Sequence, residues 1–315
     1  MSLFSVIIPL YNKENYVEKA INSILSQTYN NFEIIIIDDC STDLSYEIAK
    51  KNVSEKIRLI KHDENRGLSA SRNTGIVNSK AKYITFLDAD DVWKPTYLEE
   101  IKSLIDTFPE AKLFATNYEE VYPNEVIILP KNNANTIESS QIIEDFFKIS
   151  LGQPLYCACS LCVEKSVFDF VGNYNETITY SEDIDFNIRA NLSFKLAYSK
   201  KALVSYMIFS ENQITNNSLN KKVIPNFNVY EIYVKQNKSL KKYLDFNRYV
   251  FAKKYKIEKN TTLFKELKSE IDLKNLSWKQ NLLLDFPRFI IIFIAKIKEF
   301  LVKKGIKFTS YSSIE

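Results

Sequence analysis

Tyr83-Ile84-Thr85-Phe86-Leu87-Asp88-Ala89-Asp90-Asp91 is the stretch on which the reading of this chain turns. Its first five residues are β-branched, aromatic or aliphatic, the pattern of a buried strand. The strand then runs into three carboxylates within four positions, and a carboxylate neither solvated nor paired is costly to bury. Asp88 and Asp90 lie two apart, so on an extended backbone they project to the same side. Oxygen ligands on one face, with room left for a substrate's phosphates, suit a hard divalent cation. An equally simple reading makes this a strand ending in an acidic turn, with Asp90 or Asp91 capping a helix that begins near Pro95.

Working outward, the same unit recurs. Phe4–Pro9 reads as a short buried strand, and Asn15–Gln27 follows with Val17, Ala20, Ile21, Ile24 and Leu25 at helical spacing. Phe32–Ile37 is a second apolar strand ending in Asp38-Asp39-Cys40-Ser41-Thr42-Asp43, with a helix over Leu44–Lys51. Ile57–Lys61 is a third strand, Asn65-Arg66-Gly67 turns into a helix over Ser69–Asn78, and a helix over Thr96–Phe108 follows the acidic stretch. Strand and helix alternate with near-continuous apolar strands, which implies an α/β fold with a mostly parallel sheet covered on both faces. Ligands bind such sheets at the carboxyl ends of the strands. Tyr11, Asp38-Asp39 and Asp88-Ala89-Asp90 gather there. No G-x-G-x-x-G follows the first strand and no G-x-x-x-x-G-K-[ST] occurs, which removes the support for dinucleotide and P-loop readings.

Further along, Lys112–Glu120 and Glu125–Leu129 read as strands joined near Pro123-Asn124, Thr136–Ile149 as a helix, and residues 155–163 as a strand carrying Cys157, Cys159 and Cys162. With a single histidine (His62) and Cys40 in another segment, the cysteines are expected to be structural thiols in a reducing compartment rather than a zinc site. Ser181 is placed to cap a helix running to Asn191, with Glu182 and Asp183 in its first turn, where the helix dipole favours anions. His62 reads as a loop residue, Arg189 as a salt-bridge partner or an anion contact, and Trp93, just after the carboxylates, as part of a pocket or a packing residue.

Residues 1 to about 210 resemble the family 2 glycosyltransferases, inverting enzymes with the GT-A nucleotide-sugar-binding fold. Ser5-Val6-Ile7-Ile8-Pro9-Leu10-Tyr11-Asn12 is similar to the family's first-strand motif, and Asp38–Asp43 to its Asp-Asp-x-Ser-Thr-Asp. Asn65–Gly75 resembles the Asn-x-Gly…Ala-Arg-Asn-x-Gly segment, Asp88-Ala89-Asp90 the metal-binding Asp-x-Asp, and Glu182-Asp183 the Glu-Asp motif of the catalytic base. Cys40 stands where the family usually has Gly. The resemblance implies nucleotide contacts from Pro9, Tyr11, Asn12, Asp39, Arg72, Asp88 and Ala89. It implies Mn²⁺ or Mg²⁺ on Asp90 with Asp88, and catalysis by Asp183 with Glu182. It further implies a nucleotide-sugar donor, most simply a UDP-sugar with GDP- or dTDP-sugars as rivals, and a saccharide or lipid-linked acceptor of cell-surface glycan type. A silent binding subunit of the same fold is the rival from another class.

The expected division is a catalytic domain over 1–215, with a nucleotide half (1–92) and an acceptor half (93–215), followed by a helical extension over 216–315. Charge divides in the same place: 221–308 carries 21 Lys+Arg against 8 Asp+Glu, a balance of +13, and the rest balances to −10. Asn226–Tyr255 and Leu263–Ile271 read as helices. Over Trp278–Lys304, Phe286, Phe289, Ile290, Phe293, Ile294, Ile297, Phe300 and Leu301 recur at helical spacing beside basic residues. That pattern fits a helix lying on an anionic membrane surface, or one packing on the catalytic domain or on a second subunit of a homo-oligomer. No nucleic-acid motif accompanies the basic charge. No stretch reaches 18 apolar residues, and no signal peptide is apparent at the N-terminus. A cytoplasmic protein at the inner face of a membrane is therefore expected.

Overall fold

The computed structural model describes residues 2–123, 125–130, 137, 139–216 and 218–302. The first half alternates strand and helix: β1 (Phe4–Leu10), α1 (Val17–Leu25), β2 (Phe32–Asp38), α2 (Ser45–Lys51), β3 (Ile57–Lys61), α3 (Leu68–Asn78) and β4 (Tyr83–Phe86). Then come β5 (Val92–Trp93), α4 (Tyr97–Thr107), β6 (Leu113–Val121), β7 (Ile127–Ile128), β8 (Gln141–Ile143), α5 (Phe146–Ile149), β9 (Leu161–Glu164), α6 (Ser166–Val171), α7 (Glu182–Ser193) and β10 (Leu196–Met207). Four helices close the described chain: α8 (Lys238–Ile257), α9 (Thr261–Ser269), α10 (Trp278–Asp285) and α11 (Arg288–Val302).

The strands form one sheet in the order β3-β2-β1-β4-β9-β6-β10-β5, with β7 on β6 and β8 on β10. Pairing is parallel from β3 to β4, and β9 enters antiparallel between β4 and β6. Alternation of side chains across the pleat makes two cores from one sheet. Ile7, Ile35, Ile37, Ile84 and Phe86 point to one face, against α3, α6 and α7. Phe4, Val6, Ile8, Ile34 and Ile36 point to the other, against Val17, Ile21 and Ile24 of α1 and Leu98, Ile101 and Leu104 of α4. This burial on both faces is why the parallel strands read as unbroken apolar runs. Gly75 brings α3 onto β1: a Cβ there would stand 2.4 Å from Ile7 Cγ2. Leu240, Tyr243, Leu244, Phe251 and Tyr255 of α8 join the first core, with Leu263, Phe264 and Leu267 of α9 packed against it, so these two helices and the sheet share one apolar cluster.

Several local expectations are revised. The segment expected to be a helix over 136–149 forms β8 and the short α5, because Gln141–Ile143 pairs with β10; Thr136 lies outside the described residues. The cysteine strand is confined to Leu161–Glu164, preceded by a 3₁₀ turn at Ala158–Ser160 whose backbone is anchored by the Cys157–Ser160 reciprocal bonds. The strand over Glu125–Leu129 shrinks to Ile127–Ile128, and Asn124 lies outside the described residues. The helix over Asn226–Tyr255 becomes a 3₁₀ stretch, Phe227–Tyr233, followed by α8, which Asn237 caps through the Leu240 N–H. The run over 278–304 breaks at Pro287, which lacks the N–H to continue a helix, giving α10 and α11; Lys303 and Lys304 lie outside the described residues. All four cysteines are free thiols.

Candidate active site

The carboxyl ends of β1, β2 and β4 open onto a cavity of about 700 Å³. This volume is in the range of small-molecule sites. Pro9, Tyr11 and Lys13 from the end of β1, Asp39 after β2, Asn65–Gly67 and Arg72 from the turn and α3, and Asp88-Ala89-Asp90 after β4 line one side. Cys157-Ala158-Cys159, Ser181-Glu182-Asp183 before and within α7, and Gln213-Ile214 after β10 line the other. Segments distant in sequence thus converge where the topology of a parallel sheet places a ligand. Of the residues expected to touch a nucleotide, only Asn12 is absent from the lining. Its side chain accepts from the Thr42 N–H at 2.8 Å, and the Asn212 amide reaches its carbonyl at 3.2 Å.

Asp39 is largely committed within the protein. Its carboxylate accepts from the Arg66 and Gly67 N–H groups at 2.9 and 2.7 Å and faces His62 Nδ1 at 2.7 Å. His62, expected on a loop surface, is instead buried, with Nε2 against Thr74 Oγ1 at 2.9 Å. The turn between β2 and α2 passes through Cys40 at φ 62°, the left-handed region that accounts for glycine's usual place there.

Arg72 is a buried strut. One guanidinium nitrogen donates to Glu182 at 2.5 Å and another to Asp88 at 3.1 Å, with the group lying over the Tyr174 ring. Sequence reasoning placed Arg72 near the base or diphosphate, whereas the fold also makes it the link between the two carboxylate motifs. Glu182 is buried against it. Asp183, partly open to the cavity, has no such partner among the described residues. Burial first and the neighbouring Glu182 charge second push its carboxyl up to about 6, Arg72 opposing them. Ser181 does not cap α7 with its side chain; it adopts φ 59°, a left-handed turn that sets Glu182 and Asp183 at the cavity wall. Arg189 binds Asp185 at 2.7 Å and the carbonyls of Val171, Gly172 and Asn173, the salt-bridge reading. Trp93 is buried, its ring against Tyr97 and its N–H on the Cys159 carbonyl at 2.8 Å, so it packs rather than lining the cavity.

Three carboxylates follow β4, with different surroundings. Asp91 is fully enclosed, accepting from Met207 N–H at 2.9 Å and from the Cys159 thiol at 2.9 Å; burial, then the charges of Asp90 and Asp88, raises its pKa well above the carboxylate range. Asp88, Asp91 and Cys159 present ligand atoms within 4.8 Å of one another. A carboxyl held toward its neutral form and a thiol raised by burial are poor ligands for a hard cation. Asp88 and Asp90 suit one better, with carboxylate oxygens on the cavity wall and side chains 25% and 10% exposed. Asp90 also meets Lys13 Nζ at 2.6 Å and the Ser210 hydroxyl. Sequence reasoning missed Lys13 and Ser210. A lysine directly after Tyr11-Asn12, at the end of the first strand, was the available signal for the former.

The sheet order and its helices match the GT-A fold of glycosyltransferases, and the comparisons agree. Residues 5–159 match the glycosyl transferase family 2 profile. The chain is 34% identical over 225 residues to "Glycosyltransferase GlyA" of Streptococcus pneumoniae, covering 65% of this chain but only 30% of that protein's length. It is 30% identical over 224 residues to an uncharacterized glycosyltransferase of Rickettsia prowazekii, covering 70% of this chain and 68% of that one. Among solved structures it is similar to Staphylococcus aureus TarS 1–349 in complex with UDP-GlcNAc, with a TM-score of 0.69 and 18% identity over 100% of this chain and 95% of that one. The chain belongs to glycosyltransferase family 2.

Proposed function

We propose that the enzyme transfers a sugar from a UDP-sugar to a hydroxyl of a saccharide or lipid-linked acceptor with inversion, Asp183 acting as general base. The observation that carries this is the position of Asp183. A carboxyl pushed up to about 6 faces the same cavity as Tyr11, Asp88 and Asp90, with no ion pair among the described residues tying it up. The acceptor hydroxyl attacks C1 of the sugar from the face opposite the diphosphate. The C1–O bond to phosphate breaks as the new glycosidic bond forms, and the hydroxyl proton passes to Asp183. A base near the working pH is the most effective one. Glu182, ion-paired with Arg72, stands beside Asp183 and adds its charge to the burial that raises it. Pro9 and the half-exposed Tyr11 give an apolar wall for the base and ribose. Asp90 and Asp88 would hold Mn²⁺ or Mg²⁺, which would neutralise charge developing on the departing diphosphate. Support for UDP over GDP and dTDP comes from the structural likeness to TarS, solved with UDP-GlcNAc.

The division at residue 215 is also proposed, with the C-terminal helices bearing on localisation. None of the described helices is long and apolar enough to cross a membrane. On α11, however, Phe289, Phe293, Ile297 and Phe300 stand 70, 65, 43 and 58% exposed on one face, with Lys296 among them, while Ile291 is buried. Exposed aromatics on a basic helix fit the cytoplasmic, anionic face of a membrane, where a lipid-linked acceptor would be presented.

Thermal-shift titration with UDP, GDP, CMP and dTDP, each with and without Mn²⁺, tests the donor reading. A ligand bound only by the folded state raises Tm. UDP alone among the four should do so, and only with the cation; stabilisation by GDP or dTDP instead would overturn the donor assignment.

A further inference from the structure

Lys13 lines the cavity, and the proposed chemistry gives its charge no job. Its ammonium has three N–H donors, and the structure satisfies all three: Asp90 Oδ2 at 2.6 Å, the Glu211 carbonyl at 2.5 Å and Ser210 Oγ at 3.3 Å. The residue is 9% exposed, so this is a charge taken largely out of water and matched by one carboxylate. Its root is fixed independently, since the Lys13 N–H donates to Ser45 Oγ at 2.7 Å. The four-carbon stem can therefore swing its tip without disturbing the loop that bears it.

The partners across from it form a strap, Phe209–Gln213, directly after β10. It is held to the loop after β1 by polar contacts. Asn15 donates to the Glu211 carboxylate at 2.9 Å, the Glu211 N–H reaches Tyr16 OH at 3.4 Å, and Asn212 reaches the Asn12 carbonyl at 3.2 Å. Phe209 and Asn212 both sit at positive φ, 64° and 56°, where side-chain-bearing residues are strained. Phe209 is 52% exposed, so the strap buries little apolar surface to keep it down. Such a segment opens at low cost. Its firmest attachment is the Lys13–Asp90–Ser210 cluster.

We propose that Lys13 is a placeholder for the divalent cation: it neutralises Asp90 and fastens the strap while the site is empty of donor, and it is displaced when cation and donor arrive. The proposal rests on the reading of Asp90 as a cation-holding residue. A divalent ion ligated by Asp90 would stand within a few ångströms of the ammonium, where like charges in a partly enclosed site repel strongly. Binding of the cation alone is thus opposed. A nucleotide diphosphate changes the balance, because Lys13 lines the same cavity and gains new anionic partners there. Cation and nucleotide then assist one another, a coupling that must be reciprocal.

Calorimetric titration of the full chain with Mn²⁺, alone and with saturating UDP, tests this without reference to turnover. Lys13→Met keeps the stem and removes the charge. Mn²⁺ alone should bind this variant about 10- to 100-fold more tightly than the native chain, the range of one charge-assisted hydrogen bond. UDP should tighten Mn²⁺ binding to both forms, since its phosphates attract the cation directly, but by a clearly larger factor in the native chain, where it also draws Lys13 away. Lys13→Arg, which restores the charge, should return Mn²⁺ affinity toward the native value. Ser210→Ala loosens the cluster while leaving Lys13 in place, and should give a smaller gain, which keeps the test open should Lys13→Met fold poorly. If Lys13→Met and Ser210→Ala bind Mn²⁺ no more tightly than the native chain while Asp90→Asn abolishes binding, the placeholder is refuted and the cation site stands. If no form binds Mn²⁺ with or without UDP, the cation reading itself fails and takes the placeholder with it.

Discussion

Replacing Asp183 by Asn should make the protein more stable and inactive at once. The carboxyl titrates near 6 in the folded protein against an ordinary 3.8, a rise of about two units. The folded state therefore binds an extra proton between those two values, and stability falls as pH rises through that window. Above about 6 the whole cost persists, and below 3.8, where both states are protonated, none remains. At about 1.4 kcal/mol per unit the ceiling is about 3 kcal/mol. Because Asp183 is partly open to the cavity, water screens some of this, and about 1–2 kcal/mol is a fairer figure. Asparagine has nearly the same shape and no charge to desolvate. For a chain of this size the gain corresponds to a rise in Tm of about 2–4 °C.

The assay is calorimetric unfolding of both forms at pH 4 and pH 7.5, with transfer measured alongside. Asp183→Asn should melt higher at pH 7.5, and at pH 4 the difference should shrink to a small fraction of that value. Transfer should fall by about 10²–10⁴, the usual worth of a general base, with UDP binding unchanged. A variant that melts lower at pH 7.5, or whose gain is the same at both pH values, would refute the desolvation argument. Retained transfer would refute the role of base. The two results are independent, so either half can fail alone.

Other outcomes follow from the same geometry. In the native enzyme kcat/KM should drop on the acid side with an apparent pKa near 6, as Asp183 gains its proton; a flat profile from pH 5 to 8 would point to another base. Gly75→Ala should cost about 1–3 kcal/mol in denaturant unfolding, since its Cβ meets Ile7 at 2.4 Å inside the core; a neutral result would mean that β1 and α3 separate easily. Phe289→Ser with Phe293→Ser should release the protein from anionic vesicles in a flotation assay while leaving Tm nearly unchanged, because both rings are exposed. A fall in Tm of several degrees with vesicle binding intact would assign that face to packing.

The first four strands and their helices were legible because their signals are local. A parallel strand buried on both faces is an apolar run, and β1, β2 and β4 are covered by the two cores. Placing acidic motifs at their carboxyl ends then needs only topology. What sequence could not supply was pairing between distant segments. Gln141–Ile143 has a helix-compatible pattern and becomes a strand only because β10 offers it an edge. His62 reads as a loop residue until Asp39 and Thr74 close around its ring.

The same limit applies inside the site. Arg72 and Glu182 are 110 positions apart, Lys13 and Asp90 are 77, and Ser210 and Asp90 are 120. Read singly, Asp88, Asp90, Glu182 and Asp183 are four acids with similar prospects. The fold separates them by the ion pairs it forms: Arg72 with Asp88 and Glu182, Lys13 with Asp90, and none with Asp183 among the described residues. Burial, and then the Glu182 charge, raise the Asp183 carboxyl toward neutrality, with Arg72 opposing them. In this candidate site the acids are told apart by burial and by basic residues elsewhere in the chain, so an acidic motif intact in sequence is insufficient evidence of a working base.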